Sequence, residues 1–301
     1  MTVNGAQFEI TDGPVRAVVN EVGAAPRILE IGGLPYLETY PEDHTPPMGC
    51  GAVLVPWPNR VLDGRWTYDG GVQQLALTEP ARGNASHGLL RHTTWQPEIH
   101  YLDRITLGAD VNVQPGWPVR LRATVAYRVQ DGGLTVTHTV ANRGHQPVPF
   151  GVGAHPYPRA GEAETDECTL ELAATTAVDL DPERKVPVGD PVPVAGTDLD
   201  FRVARLLKGV ELDTAFGGCL PAEDGLVHHV LRGPDGGVEL WADPVFSWVQ
   251  VYTPDGFPGR GRAVAIEPMT CPPNALNSGI DLITLAPGET WSGSWGIRAV
   301  G

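Results

Sequence analysis

The chain is expected to fold as an all-β protein, a large antiparallel β-sandwich built from two extended sheets. Three observations carry that expectation. Apolar and polar residues alternate with period two in one segment after another. Turn formers are abundant, with 37 glycines and 29 prolines among 301 residues, which favours many short strands over long helices. No segment sustains an apolar period near 3.6 residues. One large β unit accounts for this length, and no repeat or low-complexity linker divides the chain, so residues 1–301 are read as a single domain.

The strands can be taken in order. Short alternating runs stand at 6–11 (AQFEIT) and 15–23 (VRAVVNEVG). In 119–129 (VRLRATVAYRV), Val119, Leu121, Ala123, Val125, Tyr127 and Val129 alternate with Arg120, Arg122, Thr124, Ala126 and Arg128, which gives one buried and one wet face. Residues 134–142 (LTVTHTVAN) repeat the pattern after an Asp-Gly turn, a strong hairpin signal. Further strands are expected within 169–173, 238–242, 245–252, 262–268 and 291–300. Residues 179–201 are polar and proline-punctuated and read as a long surface connection.

Composition excludes several functions. The formal net charge of -15 argues against nucleic acid as a partner, because phosphate neutralisation needs a basic face. No apolar run has the length of a membrane span and no basic-then-apolar leader opens the chain, so a cytoplasmic protein is expected. Cys50, Cys168, Cys219 and Cys271 are scattered with no CxxC pair and read as free, buried thiols. His87 and His92 have no carboxylate or cysteine at familiar metal-ligand spacing, so no metal is expected. His138 falls on the apolar face of its strand and reads as a core residue, while His228 and His229 must point to opposite faces.

Four stretches concentrate polar side chains in constrained settings. Asn59 and Arg60 follow two prolines in VPWPNR (55–60), and His87 precedes Gly88. His155 sits between a flexible run and the stiff Pro156-Tyr157-Pro158. Glu267 ends an apolar run and is followed at once by Pro268. Taken singly, each has an ordinary reading as a turn, a surface pair or a solvated strand end.

Together, and in this order along nearly the whole chain, they resemble the aldose 1-epimerases, or galactose mutarotases. The resemblance rests on Asn59-Arg60, His87-Gly88, His155-Pro156-Tyr157, the ELDTAF run (211–216) and Glu267 to Thr270. It implies a galactose mutarotase-like β-supersandwich, no cofactor, and interconversion of the α and β anomers of a free hexose such as glucose or galactose. By the same resemblance Glu267 is the general base and His155 the general acid. Arg60, His87 and Asp213 then bind the sugar, with Asn59 beside them. Two departures, Pro158 where an aromatic often stands and Trp57 where a smaller aromatic is common, bear on pocket shape.

The chemistry suits these residue types. Anomer exchange opens the hemiacetal: a base takes the C1 hydroxyl proton, an acid protonates the ring oxygen, and the open aldehyde turns and recloses. A carboxylate and an imidazole can each hold and return a proton near neutral pH. Proline after His155 restricts the backbone and so keeps the ring aimed. Trp57, Trp95, Trp248 and Tyr157 are candidates to stack on the sugar.

Three other readings stay open on sequence alone. A hexose-6-phosphate 1-epimerase would use Arg91 or Arg65 for the phosphate, although Asp213 would repel a dianion and is expected to favour free hexoses. A non-catalytic sugar-binding protein of the same fold would not need both Glu267 and His155. A glycoside hydrolase would need two carboxylates across the bond, leaving His155 without a task. The partner in every case is a small-molecule sugar, on a monomer or homodimer.

Overall fold

The computed structural model describes residues 2–301. Strands dominate; the α-helix among the described residues is the single turn Ala275–Ser278. The strands form two large antiparallel sheets and several small ones.

The larger sheet has nine strands. In spatial order they are Gln96–His100, Arg104–Val111, Leu121–Gln130, Gly133–Asn142, Thr290–Val300, Gly236–Ala242, Val227–Gly233, Thr169–Leu172 and Arg205–Leu206. At the hairpin of its third and fourth strands, Gln130 pairs with Gly133 across Asp131 and Gly132. Those two residues have φ of 51° and 76°, the left-handed pair that a two-residue hairpin loop requires. Along the strand before it, Leu121, Ala123, Val125, Tyr127 and Val129 are buried as the alternation demands.

The second sheet has seven strands in the order Val192–Pro193, Thr176–Val178, Asp213–Gly217, Trp248–Tyr252, Ala265–Met269, Gly153–Ala154 and Val53–Leu54. One of its faces packs against the nine-stranded sheet. Phe216, Val249, Val251 and Ile266 from this sheet join Val125, Val136, Leu240 and Ile297 from the other in one apolar cluster. Each such side chain contributes roughly 1.5–3 kcal/mol on burial. A four-stranded sheet, Gln7–Asp12 through Leu34–Pro35, adds Ile10, Ala17 and Leu29 to the same cluster.

The core histidine behaves as expected. Trp295 Nε1 donates to His138 Nε2 at 2.9 Å, and burial lowers the His138 pKa to about 3. His229 is buried, whereas His228 faces outward to Asp224 and Glu239. All four cysteines are free and buried. Residues 179–201 are less irregular than expected. They contain the edge strand Val192–Pro193 and a bridge between Leu180 and Pro187, and their Arg184 hydrogen-bonds the carbonyls of Arg82 and Gly83. No helix among the described residues is long and apolar enough to cross a membrane.

Candidate active site

The outer face of the seven-stranded sheet carries the chemistry. Residues directly opposite each other on antiparallel strands share a face. Asp213 registers with Tyr252, and Gln250 registers with Glu267, so these four side chains lie on one face. Their sequence neighbours Val249, Val251 and Ile266 point the other way into the core. Glu267 does not end its strand, contrary to the sequence expectation. It sits in the middle of Ala265–Met269, where Pro268 pairs with Val249 and Met269 with Gly153, so the strand runs on past the proline.

Above this face lies a two-stranded ribbon, Arg60–Leu62 paired with Asn84–Ser86. It delivers Asn59 and Arg60 from one strand and His87 from the end of the other. Asn59 and His87 both adopt left-handed backbone, with φ of 55° and 61°, and the His87 N–H donates to the Asn59 carbonyl at 2.8 Å. Such conformations cost energy in non-glycine residues and gather at functional sites. Gly88 follows His87 for a steric reason: a Cβ there would stand 2.1 Å from the Val55 carbonyl oxygen. The His-Gly motif is thus a turn that no larger residue can make.

His155 directly follows the strand Gly153–Ala154 of the same sheet. Its N–H donates to the Ala52 carbonyl at 3.1 Å, and its carbonyl accepts from Gly51 N–H at 2.8 Å. The ring stacks on Tyr157 at 5.2 Å between centroids and meets the His87 ring edge-on at 5.4 Å. Gly49, at φ 76°, passes close over it; a Cβ there would lie 3.1 Å from His155 Cδ2. The imidazole is therefore clamped on three sides.

His155 Nε2 lies 3.5 Å from Glu267 Oε1, and the two side chains are 5% and 2% exposed. Burial lowers the His155 pKa to about 3 and pushes the Glu267 carboxyl well above its usual range, with Asp213 adding to the Glu267 shift and Arg60 opposing it. Both shifts run in the direction that disfavours charge. His87 is likewise held neutral by burial and then by the nearby cations.

Five of the six residues singled out by sequence, Asn59, Arg60, His87, Asp213 and Glu267, line one cleft of about 720 Å³, and His155 adjoins them through Glu267 and His87. Four atoms of this group are buried without a hydrogen-bond partner: Asn59 Oδ1, His87 Nδ1, His155 Nδ1 and Glu267 Oε2. Unpartnered buried polar atoms are costly, so a polar ligand that supplied the missing bonds would be favoured beside them.

Several residues that bear on the site were not evident in the sequence. Glu79 grips Arg60, accepting from its Nε at 2.8 Å and its Nη2 at 3.2 Å. Much of the Arg60 fork is therefore spent on Glu79, while its Nη1 stands 3.9 Å from Asp213. Burial alone would lower the Arg60 pKa, but Glu79, Asp213 and Glu267 outweigh it. Gln250 bridges the site, taking a hydrogen bond from Asn59 Nδ2 at 3.2 Å and giving one to Asp213 at 2.8 Å. Period-two alternation in 245–252 places Gln250 with Trp248 and Tyr252, yet only the register shows that it faces Glu267.

The expected aromatic partners are elsewhere. Trp57 and Trp95 are buried in the main core, Trp248 donates its indole N–H to Asp281, and Tyr157 lies behind His155; the aromatic lining the cleft is Tyr252. Neither Trp57 nor Pro158, the two departures, lines the cleft. Arg65 is exposed and hydrogen-bonded to Gln74, whereas Arg91 does line it. His92 is outside it, and among the described residues no group of three His, Cys, Asp or Glu has metal-binding geometry.

Known proteins share this fold. The fold aligns with the GalM/aldose epimerase homologue of Caenorhabditis elegans at a TM-score of 0.85 and 19% identity, covering 98% of each chain. It aligns with galactose 1-epimerase from Lactobacillus acidophilus at 0.78 and 18% identity, covering 98% of this chain and 95% of that one. In sequence the chain is 31% identical over 293 residues to the uncharacterised Escherichia coli protein YihR, covering 96% of this chain and 92% of that protein. The aldose 1-epimerase family model matches residues 6–298, and with that span the chain belongs to the aldose 1-epimerase family.

Proposed function

We propose that the protein is an aldose 1-epimerase that interconverts the α and β anomers of free hexoses such as glucose or galactose. The observation that carries the reading is the buried Glu267–His155 pair, 3.5 Å apart, with Glu267 lining a polar cleft and His155 behind it. One proton shared by two groups is what ring opening requires: one group gives it to the ring oxygen while the other takes one from the C1 hydroxyl. Reclosure on the other face of the aldehyde reverses both transfers, so the pair returns to its starting state. In this reading Glu267 is the base and His155 the acid when sugar is bound. Hydroxyl donors to the Glu267 carboxylate then favour its charged form and move the shared proton to His155.

Arg60, His87, Asp213 and Asn59 hold the sugar. Asp213 accepts from hydroxyls, and His87 Nδ1 supplies a further hydrogen-bonding site beside the acid. The clamp on His155 keeps the ring aimed while the open aldehyde turns about its C1–C2 bond, a positioning effect that adds to acid–base catalysis. No step needs a covalent intermediate.

Polarimetry of freshly dissolved α-glucose and α-galactose provides the test. The protein should speed the decay of optical rotation to the equilibrium value without changing that value. Decay at the uncatalysed rate for every aldose tried would sink the reading.

A further inference from the structure

Among the carboxylates that line the cleft, Glu79 takes the most hydrogen bonds. Arg60 Nε donates to it at 2.8 Å, Arg60 Nη2 at 3.2 Å and Asn84 Nδ2 at 3.5 Å, while Arg82 Nε stands 3.1 Å away as a second cation. Its backbone is fixed as well. Glu79 N–H donates to the Asn84 carbonyl at 3.0 Å and receives a bond from Asn84 N–H at 3.2 Å, where the ribbon strand Asn84–Ser86 begins. Glu79 is therefore a rigid anchor for whatever it holds, and what it holds is Arg60.

The grip on Arg60 is one-sided. Glu79 takes the edge formed by Nε and Nη2, a fork that arginine offers to a carboxylate. Nη1 is left over, 3.9 Å from Asp213 Oδ1. That distance is too long for a hydrogen bond, so Arg60 and Asp213 are opposite charges that face each other without touching. Asp213 is pinned too: its Oδ1 accepts from Gln250 Nε2 at 2.8 Å, and Gln250 is tied in turn to Asn59 at 3.2 Å.

An open gap between opposite charges needs something to hold it open. The Arg60 and Asp213 side chains are only 14% and 22% exposed, so water screens their attraction poorly. Arginine has a long, rotatable stem, and a free Arg60 would swing onto Asp213 as an ordinary ion pair. The fork to Glu79 prevents that. What the gap fits is a hydroxyl, which is donor and acceptor at once. Its oxygen can accept from Nη1 at ~2.9 Å and donate to the carboxylate at ~2.7 Å, and two such bonds close a triangle on a 3.9 Å base.

We infer that Glu79 is a positioning residue: by anchoring Arg60 it keeps the space between Arg60 and Asp213 open for a sugar hydroxyl. That the hydroxyl belongs to a sugar rests on the anomer-exchange reading above; the gap itself does not. Were the gap to close, Arg60 and Asp213 would be spent on each other, and a ligand would have to break a charged pair before binding. Glu79 bonds to neither Glu267 nor His155, which pair with each other at 3.5 Å. Its loss therefore acts on binding far more than on proton transfer.

Glu79→Gln tests this, because glutamine keeps the size of the side chain and removes its charge. A crystal structure of the unliganded variant should show Arg60 Nη1 within ~3.2 Å of an Asp213 oxygen. In polarimetric assays with the aldose that the protein exchanges fastest, KM should rise about tenfold, as loss of one hydrogen bond to a charged group implies, while kcat changes by less than about threefold. Glu79→Asp, which keeps the charge on a shorter arm, should recover part of the loss. The decisive comparison uses an Asp213→Asn background. An amide has no charge with which to capture Arg60, so adding Glu79→Gln there should raise KM by less than about twofold more. An equal penalty on both backgrounds would mean that Glu79 only stiffens the ribbon and would overturn the inference, as would a gap that stays open in the variant crystal. If the wild-type protein exchanged the anomers of no aldose, the proposed function would fall and the crystal structures would still decide the gap; anomer exchange with a gap that stays open would do the reverse.

Discussion

Glu267 and His155 are each almost sealed from water, and their behaviour follows from that. A fully charged pair would carry two desolvation penalties, and both pKa shifts run against it. Replacing Glu267 by Gln removes the acceptor while keeping shape and hydrogen-bonding size. Turnover at saturating sugar should fall by about 10²–10⁴-fold, with KM much less affected, and His155→Asn should behave alike. Near-native turnover in either variant would show that the roles are misassigned. The pH profile of kcat/KM carries the same information. The acidic limb marks the arrival of a second proton, and burial sets it below the ordinary histidine value of about 6.5. The alkaline limb marks loss of the shared proton, and the raised Glu267 carboxyl sets it above the ordinary carboxylate range of about 4.3. A rate that falls as pH drops through ~6.5, with an imidazole-like step, would contradict these shifts.

At the level of elements, the site is an outer sheet face roofed by a small ribbon, and the turn after that ribbon is its weak point. Gly88 has φ 70°, and an added Cβ would meet the Val55 carbonyl oxygen, carbonyl carbon and N at 2.1, 2.4 and 2.9 Å. Those are backbone atoms that cannot rotate aside. Gly88→Ala is expected to destabilise the fold by roughly 2 kcal/mol or more and to displace His87, lowering both the melting temperature and the affinity for sugar. Unchanged melting with unchanged sugar affinity would mean that the turn relaxes more easily than its geometry implies. Glu79 holds Arg60 beside that ribbon, and Arg60 opposes the upward shift of the Glu267 carboxyl.

Across the whole molecule, burial of neutral histidines ties stability to acid. His138, His155 and His229 have pKa values lowered to about 3, and His87 is also held well below normal, in each case chiefly by burial. Between pH ~6.5 and ~3 the unfolded chain therefore binds protons that the folded chain refuses. Stability rises with pH across that window and is lost as pH falls, by up to ~1.4 kcal/mol per pH unit for each such histidine. Glu38 and Glu267, raised by burial, act in the opposite sense, since the folded chain then holds protons that the unfolded chain has released. His228, raised by Asp224 and Glu239 against its burial, also acts in that sense. The four histidines outnumber these three groups, so chemical denaturation should show stability decreasing from pH ~6.5 towards pH ~4.5. His229→Asn should flatten the slope; an unaltered or reversed slope would show that other groups control acid unfolding.

What the sequence determined by itself was local and periodic. Alternation marked the strands, Asp131-Gly132 marked a hairpin, and the ordered motifs at Asn59-Arg60, His87-Gly88, His155-Pro156-Tyr157 and Glu267 marked the family and the residues that line or adjoin one cleft. Each of these signals is a property of a few adjacent residues, so tertiary contact was not needed to read it. Tertiary structure decided everything that depends on register or on approach between distant segments. Gln250 faces Glu267 because two strands pair in one register, and shifting either by one residue would turn those side chains into the core. Glu79 reaches Arg60 across a ribbon, Lys185 enters the cleft from what looked like a surface connection, and Tyr252 takes the place for which four other aromatics were candidates. The solvation of a carboxylate is a sum over neighbours brought together by the fold, and those neighbours lie far apart along the chain, as Asn59 and Gln250 do with a separation of 191.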